Sequence, residues 1–133
     1  MADLDDPGVT RLLTEPHYAV VSTLNEDGSI HSTIVWVDVL DGNVAVNSAV
    51  GRKWPTNLEH NPTITVLVYD ESNPYDYLEV RGTAKGTTEG ADDHIDQLSK
   101  KYTGKDTYPF RQPGEQRISF RVHPTLIRHQ TPA

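Results

Sequence analysis

Apolar and β-branched residues alternate with polar residues along most of the chain, and short turn sequences separate the alternating segments. Alternation with a period of two predicts β-strands, because side chains two residues apart lie on the same face of a strand. Turns at Asn25–Gly28 and Asp41–Gly42 join the first three strands as hairpins. The predicted strands are residues 17–24, 30–40, 43–48, 63–69, 77–88 and 116–128, the last being one long or two short strands.

Three short segments have helical spacing instead. The first begins at Asp5 or Asp6 and ends at Glu15-Pro16, the second covers residues 51–61, and the third covers residues 90–102. Three leading strands joined by hairpins exclude a doubly wound parallel sheet, which needs a crossover between strands. We therefore predict a mainly β fold, a small barrel of six to seven antiparallel strands with short flanking helices, in one domain over residues 1–133.

Composition narrows the class of protein. The chain has 12 Lys and Arg against 19 Asp and Glu, a net charge of −7, which argues against binding to nucleic acid. No apolar run reaches the ~18–20 residues that span a bilayer, and the acidic MADLDDPGV start does not resemble a signal peptide. The absence of cysteine excludes disulfides, thiol nucleophiles and cysteine zinc sites. We expect a soluble, cytoplasmic domain without a membrane span.

The distribution of charge indicates a candidate binding site. Residues 1–66 carry nine acidic residues and three basic ones, two of which are the adjacent Arg52 and Lys53. This doublet lies between a strand and a helix, where backbone N–H groups are free and the helix dipole is positive. Ser48 can add a hydroxyl, and Asn57 lies four residues after Lys53 on the same side of the helix. These groups predict a phosphate site; the alternative is a solvated helix start that happens to be basic.

Other catalytic patterns are missing from the sequence. Neither GxxxxGK[ST] nor GxGxxG occurs, the six histidines form no metal-ligand pattern, and no nucleophile triad or carboxylate pair has a recognisable context. No metal site and no catalytic side chain are therefore predicted. Trp36, Tyr75 and Tyr77 are candidates for the walls of a flat pocket, with packing as the alternative, whereas Trp54 and Tyr69 are predicted to lie in the core.

Several stretches of the sequence resemble the pyridoxamine 5'-phosphate oxidase-like split β-barrels. They are STLNEDGSIHSTIVW, NSAVGRKWPTNLEHNP and YLEVRGTAKGTT. The C-terminal stretch IDQLSKKYTGKDTYPFRQPGEQRISFRVHP resembles the short branch of this family, and the RK and KYTGKDTYP segments are most similar to reductases that use the deazaflavin coenzyme F-420. The resemblance covers residues from about 10 to about 129.

This resemblance implies a homodimer with the cofactor in a groove at the subunit interface. The chemistry that the resemblance implies is hydride transfer from the reduced ring of the cofactor to a small-molecule acceptor, which would be an activated alkene, a quinone-like compound or a tetrapyrrole-like compound. FMN is the alternative cofactor, as an oxidoreductase or flavin-binding protein of the same fold, and a non-catalytic ligand-binding barrel is the third possibility.

The resemblance also assigns residues to the cofactor. Arg52 and Lys53 would bind its phosphate, with Ser48 and Asn57 assisting, and Asn47 belongs to the same stretch. Tyr75 and Tyr77 would line the pocket, either within the same subunit or from across the subunit interface. The strand residues that would run along the ring and ribityl chain, largely through backbone groups, are His31, Ser32, Thr33, Ile34 and Val35.

Overall fold

The computed structural model describes residues 1–132. In that range the elements are α1 (Pro7–Thr14), β1 (Ala19–Leu24), β2 (Ile30–Val35), β3 (Val37–Leu40), β4 (Asn43–Ala49), α2 (Lys53–His60), β5 (Thr63–Asp70), β6 (Asn73–Thr87), α3 (Ala91–Thr103) and β7 (Arg117–Gln130). The seven strands of this described part form one sheet in the order β2-β1-β5-β6-β7-β4-β3, and all neighbours are antiparallel. The predicted mainly β fold of six to seven antiparallel strands is thus confirmed.

Trp36 divides the segment that the sequence predicted as one strand over residues 30–40. The two parts, β2 and β3, lie at opposite edges of the sheet. Because a single residue links the two edges, the sheet curls until they meet at Trp36, which makes it a split barrel. The two halves also explain the mixed pattern of this segment: β2 alternates between exposed and partly buried positions, whereas Val37 at the start of β3 is fully buried.

Strand β6 also differs from its prediction. It begins at Asn73, so the predicted loop over residues 70–76 shrinks to a tight turn after Asp70. The side chain of Asp70 accepts hydrogen bonds from the backbone N–H and the hydroxyl of Ser72, which favours this turn. Farther along, the register with β7 shifts between Arg81 and Gly82, where a Cβ would collide with the His123 carbonyl. The close approach of β7 therefore requires glycine at this position.

One apolar core fills the inside of the curled sheet. Helices α1 and α2 insert Leu12, Leu13, Trp54 and Leu58 into it, and Trp54 packs on Phe120 of β7. Burial of each such side chain contributes about 1.5–3 kcal/mol. Tyr69 is only partly buried, so its predicted place in the core is wrong.

Helix α3 packs on the outer face of β4 and β7. Its buried residues include Ile95 and Leu98, which lie outside the main apolar cluster. Among residues 1–132, no helix is both long and apolar enough to cross a membrane.

Candidate functional site

A cavity of about 180 Å³ lies where the two edges of the sheet meet. It is walled by the end of β2, by Trp36, by the loop that follows α3 and by the start of β7. This volume is below the roughly 300–1,000 Å³ of common ligand pockets, so one copy of the chain encloses only part of a larger ligand. We call this cavity the aromatic pocket; its lining residues are Tyr18, Ile34, Val35, Trp36, Ile95, Tyr108, Phe110 and Arg117.

Stacked rings fix the walls of the aromatic pocket. Trp36 lies parallel to Tyr102, with ring centres 5.2 Å apart and an interplanar angle of 9°. Tyr108 meets Trp36 edge-on at 6.0 Å, and Phe110 meets Tyr108 edge-on at 5.6 Å. The Tyr102 hydroxyl donates to the His17 carbonyl and accepts from the Val37 N–H, and burial raises its pKa. Trp36 is therefore held as a rigid, flat wall.

Arg117 supplies a buried positive charge at this pocket. Its Nε donates to Asn47 Oδ1 at 3.0 Å, and its guanidinium lies over the Tyr108 ring at 5.0 Å. Burial lowers the pKa of Arg117, and the neighbouring charge of Glu115 opposes that effect. Arg117 is not among the site residues predicted from the sequence. A usable signal was present, since Arg117, Ser119 and Arg121 form a polar face along a strand whose other face is apolar.

Glu115 joins Arg117 to the basic doublet. One carboxylate oxygen, Oε1, accepts from Arg117 Nη1 at 3.1 Å and from Arg52 Nη2 at 2.8 Å. The Glu115 side chain is 5% exposed and that of Arg52 is 50% exposed. Gly51, in the left-handed conformation at φ 94°, turns the chain into α2 directly before Arg52. The helix start is thus connected to the aromatic pocket through one carboxylate.

Lys53 lies on the other side of the helix start. It lines a second cavity, of about 350 Å³, between α2 and the β1–β2 turn. Hydrogen bonds from Ser29 lower the pKa of Asp27 in that turn, and the charge of Lys53 acts in the same direction. Asn57 is buried here and donates to Thr23 Oγ1 and Asn25 Oδ1. Asn57 therefore attaches the turn to α2 and does not share an open site with Arg52.

Strand β2 runs from the β1–β2 turn, which lines the second cavity, to the aromatic pocket. Its six residues span roughly 17 Å. Within residues 1–132 it pairs with β1 alone, so its other edge offers free backbone groups. His31 bonds to Thr33, and Ser32 to Ser22 of β1. Ile34 and Val35 line the aromatic pocket, whereas His31, Ser32 and Thr33 lie farther along the strand.

Asn47 and Ser48 are buried in β4, and Asn47 belongs to a hydrogen-bond network under α3. Its Nδ2 donates to the Ala91 carbonyl and lies 3.2 Å from His94 Nδ1. His94 also contacts Ser119 Oγ at 2.7 Å and, through Nε2, Asp38 Oδ1 at 2.8 Å. Asn47 thus holds Arg117 in place and is not itself accessible to a ligand.

The two predicted tyrosines lie on β6, outside both cavities. Tyr75 is 75% exposed, and Tyr77 is partly buried beneath the guanidinium of Arg128 at 5.4 Å. In one copy of the chain, Ile34 and Val35 line the aromatic pocket, which is linked to Arg52 through Arg117 and Glu115. Tyr75 and Tyr77 do not reach this site.

An ion cluster lies on the far side of Tyr102. His17 Nδ1 contacts Glu71 at 2.7 Å and its Nε2 contacts Glu15 at 2.8 Å, while Arg11 binds Glu15 and Asp70. His17, Asp70 and Glu71 bring their potential ligand atoms within 4.8 Å of one another. Because both ring nitrogens of His17 and the Asp70 carboxylate already have partners, we assign no metal to the cluster.

Stability should depend on pH through His17. Burial disfavours its charged ring, but hydrogen bonds to Glu71 and Glu15 outweigh burial and raise the pKa of His17. Below about 6.5, the usual histidine pKa, the ring is charged in both states and its ion pairs contribute fully; their contribution is lost as pH rises through the raised folded pKa. Thermal melts should therefore show His17→Gln less stable than the unmodified protein at about pH 6, with a smaller gap at about pH 9. A gap that stays constant across this range would contradict the assignment.

The curled antiparallel sheet, the helix between β4 and β5, and the pocket at the meeting edges define a split-barrel protein. The chain belongs to the pyridoxamine 5'-phosphate oxidase-like split-barrel family, because the family model described as pyridoxamine 5'-phosphate oxidase matches residues 6–131. Members of this family bind flavins. A search of curated proteins gave no match.

Solved structures agree with the family assignment. One described as an F420 reductase is 27% identical, with a TM-score of 0.74, and the match covers 88% of this chain and 93% of that chain. A conserved hypothetical protein from Mycobacterium tuberculosis is 18% identical, with a TM-score of 0.77 and coverage of 98% and 84%. A putative pyridoxamine 5'-phosphate oxidase from Listeria innocua is 20% identical, with a TM-score of 0.66 and coverage of 89% and 91%. The last two similarities show the fold alone.

Proposed function

We propose that this protein is a homodimeric reductase that binds the deazaflavin coenzyme F-420 and reduces an activated alkene or a quinone-like small molecule. The observation that carries this proposal is the path along the free edge of β2, from the aromatic pocket to the β1–β2 turn, which shares a cavity with Lys53. The similarity to a structure described as an F420 reductase favours the deazaflavin over FMN.

The residues along this path fit such a cofactor. Trp36 and Tyr108 offer flat apolar surfaces for a ring system, and the ~17 Å of β2 edge suits a polar chain that carries a phosphate. Arg52 and Lys53 supply positive charge, and the first backbone N–H groups of α2 lie beside them. Ser48, Asn47 and Asn57 are buried, so their proposed role is to support the site without touching the cofactor.

Three side chains of the aromatic pocket have a role in the proposed reaction. When bound, the reduced coenzyme supplies a hydride. Trp36 and Tyr108 orient the ring and exclude water. The positive charge of Arg117 stabilises negative charge that develops in the pocket during the reaction. No side chain is assigned as proton donor.

A second copy of the chain would complete the site. The outward face of the edge strand β2 carries Ile30 and Ile34, and Ile34 is 66% exposed although it lines the pocket. Exposed apolar edge strands are normally covered, and the pocket of one copy is small for a three-ring ligand. We infer that the partner subunit covers this edge and adds Tyr75 and Tyr77 to the cofactor groove.

The test is turnover with the reduced coenzyme. Purified protein is mixed with reduced F-420 and a panel of quinones and unsaturated lactones, and formation of the oxidised coenzyme is followed by absorbance. We expect oxidation that requires both protein and acceptor and that is slower with Trp36→Ala, while light scattering reports a dimer. Oxidation with bound FMN and not with F-420 would move the protein to the flavin-dependent alternative. Binding without turnover on any acceptor would favour a ligand-binding barrel.

A further inference from the structure

The carboxylate of Glu115 occupies a position between two arginines. Its Oε1 accepts from Arg52 Nη2 at 2.8 Å and from Arg117 Nη1 at 3.1 Å, although Arg52 directly precedes α2 and Arg117 begins β7. Arg117 keeps a further partner in Asn47, whereas Arg52 faces solvent with half of its side chain exposed. Glu115 therefore neutralises the cation to which a phosphate arriving from solvent would bind.

The second oxygen of this carboxylate is unsatisfied. Glu115 Oε2 is buried and has no hydrogen-bond partner among residues 1–132. A buried charged oxygen without a donor is costly, because it has lost water and gained nothing in return. The contact with Arg52 is thus maintained at a cost, and a ligand that satisfies Arg52 allows the carboxylate to return to water.

The backbone around Glu115 is fixed, so only its side chain needs to move. The Glu115 N–H donates to the Gln112 carbonyl at 3.1 Å, and the Gln116 carbonyl accepts from the Val50 N–H at 2.8 Å. The second bond attaches this end of the loop to the segment that leads into α2. A rotation of the Glu115 side chain can therefore release Arg52 without displacing the loop that carries Tyr108 and Phe110.

We propose that Glu115 is an internal competitor for the phosphate at Arg52 and so sets the affinity and the charge selectivity of the site. This proposal rests on the proposed function, because it takes Arg52 as a ligand for the cofactor phosphate. A phosphate group can offer two oxygens to the guanidinium of Arg52, whereas Glu115 offers it Oε1 alone, so the phosphate displaces the carboxylate. A ligand without a negative charge gains too little at Arg52 to do so, and the site therefore selects anionic ligands.

The test is removal of this charge with its shape retained. Oxidised F-420 and, separately, inorganic phosphate are titrated by calorimetry into the unmodified protein and into Glu115→Gln, whose amide oxygen can still accept from Arg117. We expect the variant to bind both probes about tenfold more tightly. Glu115→Asp, with a shorter side chain that reaches Arg52 less well, is a second variant and should show a smaller gain.

Two controls separate competition from a general change in charge. Glu59→Gln alters the net charge by the same amount at an exposed position of α2, and it should leave both affinities unchanged. The gain from Glu115→Gln should also disappear in an Arg52→Ala background. Unchanged or weaker binding by both Glu115 variants overturns the proposal, as does an equal gain in Glu59→Gln or in the Arg52→Ala background.

The two probes distinguish this proposal from the proposed function. Tighter phosphate binding by Glu115→Gln without any binding of F-420 supports the competitor and contradicts the deazaflavin assignment. Binding of F-420 that depends on Arg52 but is indifferent to Glu115 supports the cofactor and overturns the competitor.

Discussion

Replacement of Lys53 by alanine should weaken the binding of oxidised F-420 by roughly 10–100-fold. The expected loss is the ~1.5–3 kcal/mol of a charge-assisted contact to a phosphate. Lys53 is exposed at the first position of α2, so its removal should leave the fold intact. The double variant Arg52→Ala/Lys53→Ala should lose more affinity than either single variant. Calorimetric titration of each variant with the coenzyme measures these losses.

Lys85→Ala provides the matched control for this experiment. Lys85 is exposed on β6 and lines neither the aromatic pocket nor the cavity beside α2. Its removal changes the net charge equally and should leave the affinity within twofold, a threshold on the order of 0.4 kcal/mol. If Lys53→Ala binds as tightly as this control, the doublet is not the phosphate site.

Replacement of His94 by leucine should be the most destabilising single change considered. His94 is fully enclosed between α3 and the sheet, and it contacts Asp38, Asn47 and Ser119. Leucine leaves the buried Asn47 and Ser119 and the partly buried Asp38 without that partner, and the loss of a partner costs a buried group about 1–3 kcal/mol, though such losses are not additive. We expect the free energy of unfolding in urea to fall by about 3 kcal/mol. His123→Leu, at an exposed position of β7, should change it by less than about 0.5 kcal/mol.

The same variant should disturb the pocket, because Asn47 connects His94 to Arg117. The fluorescence of Trp36, which lies in the pocket near Tyr108, is the readout for this coupling. A His94→Leu protein that unfolds at the same urea concentration as the unmodified one would show that the network under α3 contributes little.

Much of the fold could be predicted from local sequence patterns. Turn residues at Asn25–Gly28 and Asp41–Gly42 placed the hairpins, and the acidic start of α3 at Asp92 and Asp93 suited the helix dipole. The break at Trp36 could not be predicted, because alternation continues through that residue while the two halves pair with strands at opposite ends of the sheet. Strand pairing depends on tertiary contacts, and a local period contains no information about it.

The candidate site shows the same limit. The position of Arg52 and Lys53 between a strand and a helix was predicted, because it follows from a change of period over a few residues. Their neighbours Glu115 and Arg117 are more than sixty positions away in the chain, and only the pairing of β4 with β7 brings them near. Asn57 lies on the predicted side of α2, but helical spacing gives direction and not the contact partner, so its hydrogen bond to Thr23 could not be predicted.

The most direct test of the cofactor assignment is a titration of the unmodified protein with oxidised F-420 and, separately, with FMN. Trp36 fluorescence is the signal, since a ring system in the aromatic pocket would stack beside that side chain. Trp36→Phe serves as the control that separates this signal from that of Trp54. Our account predicts saturable quenching by F-420 at micromolar concentration, with FMN binding more weakly. Tighter binding of FMN, or no binding of either compound, would contradict it.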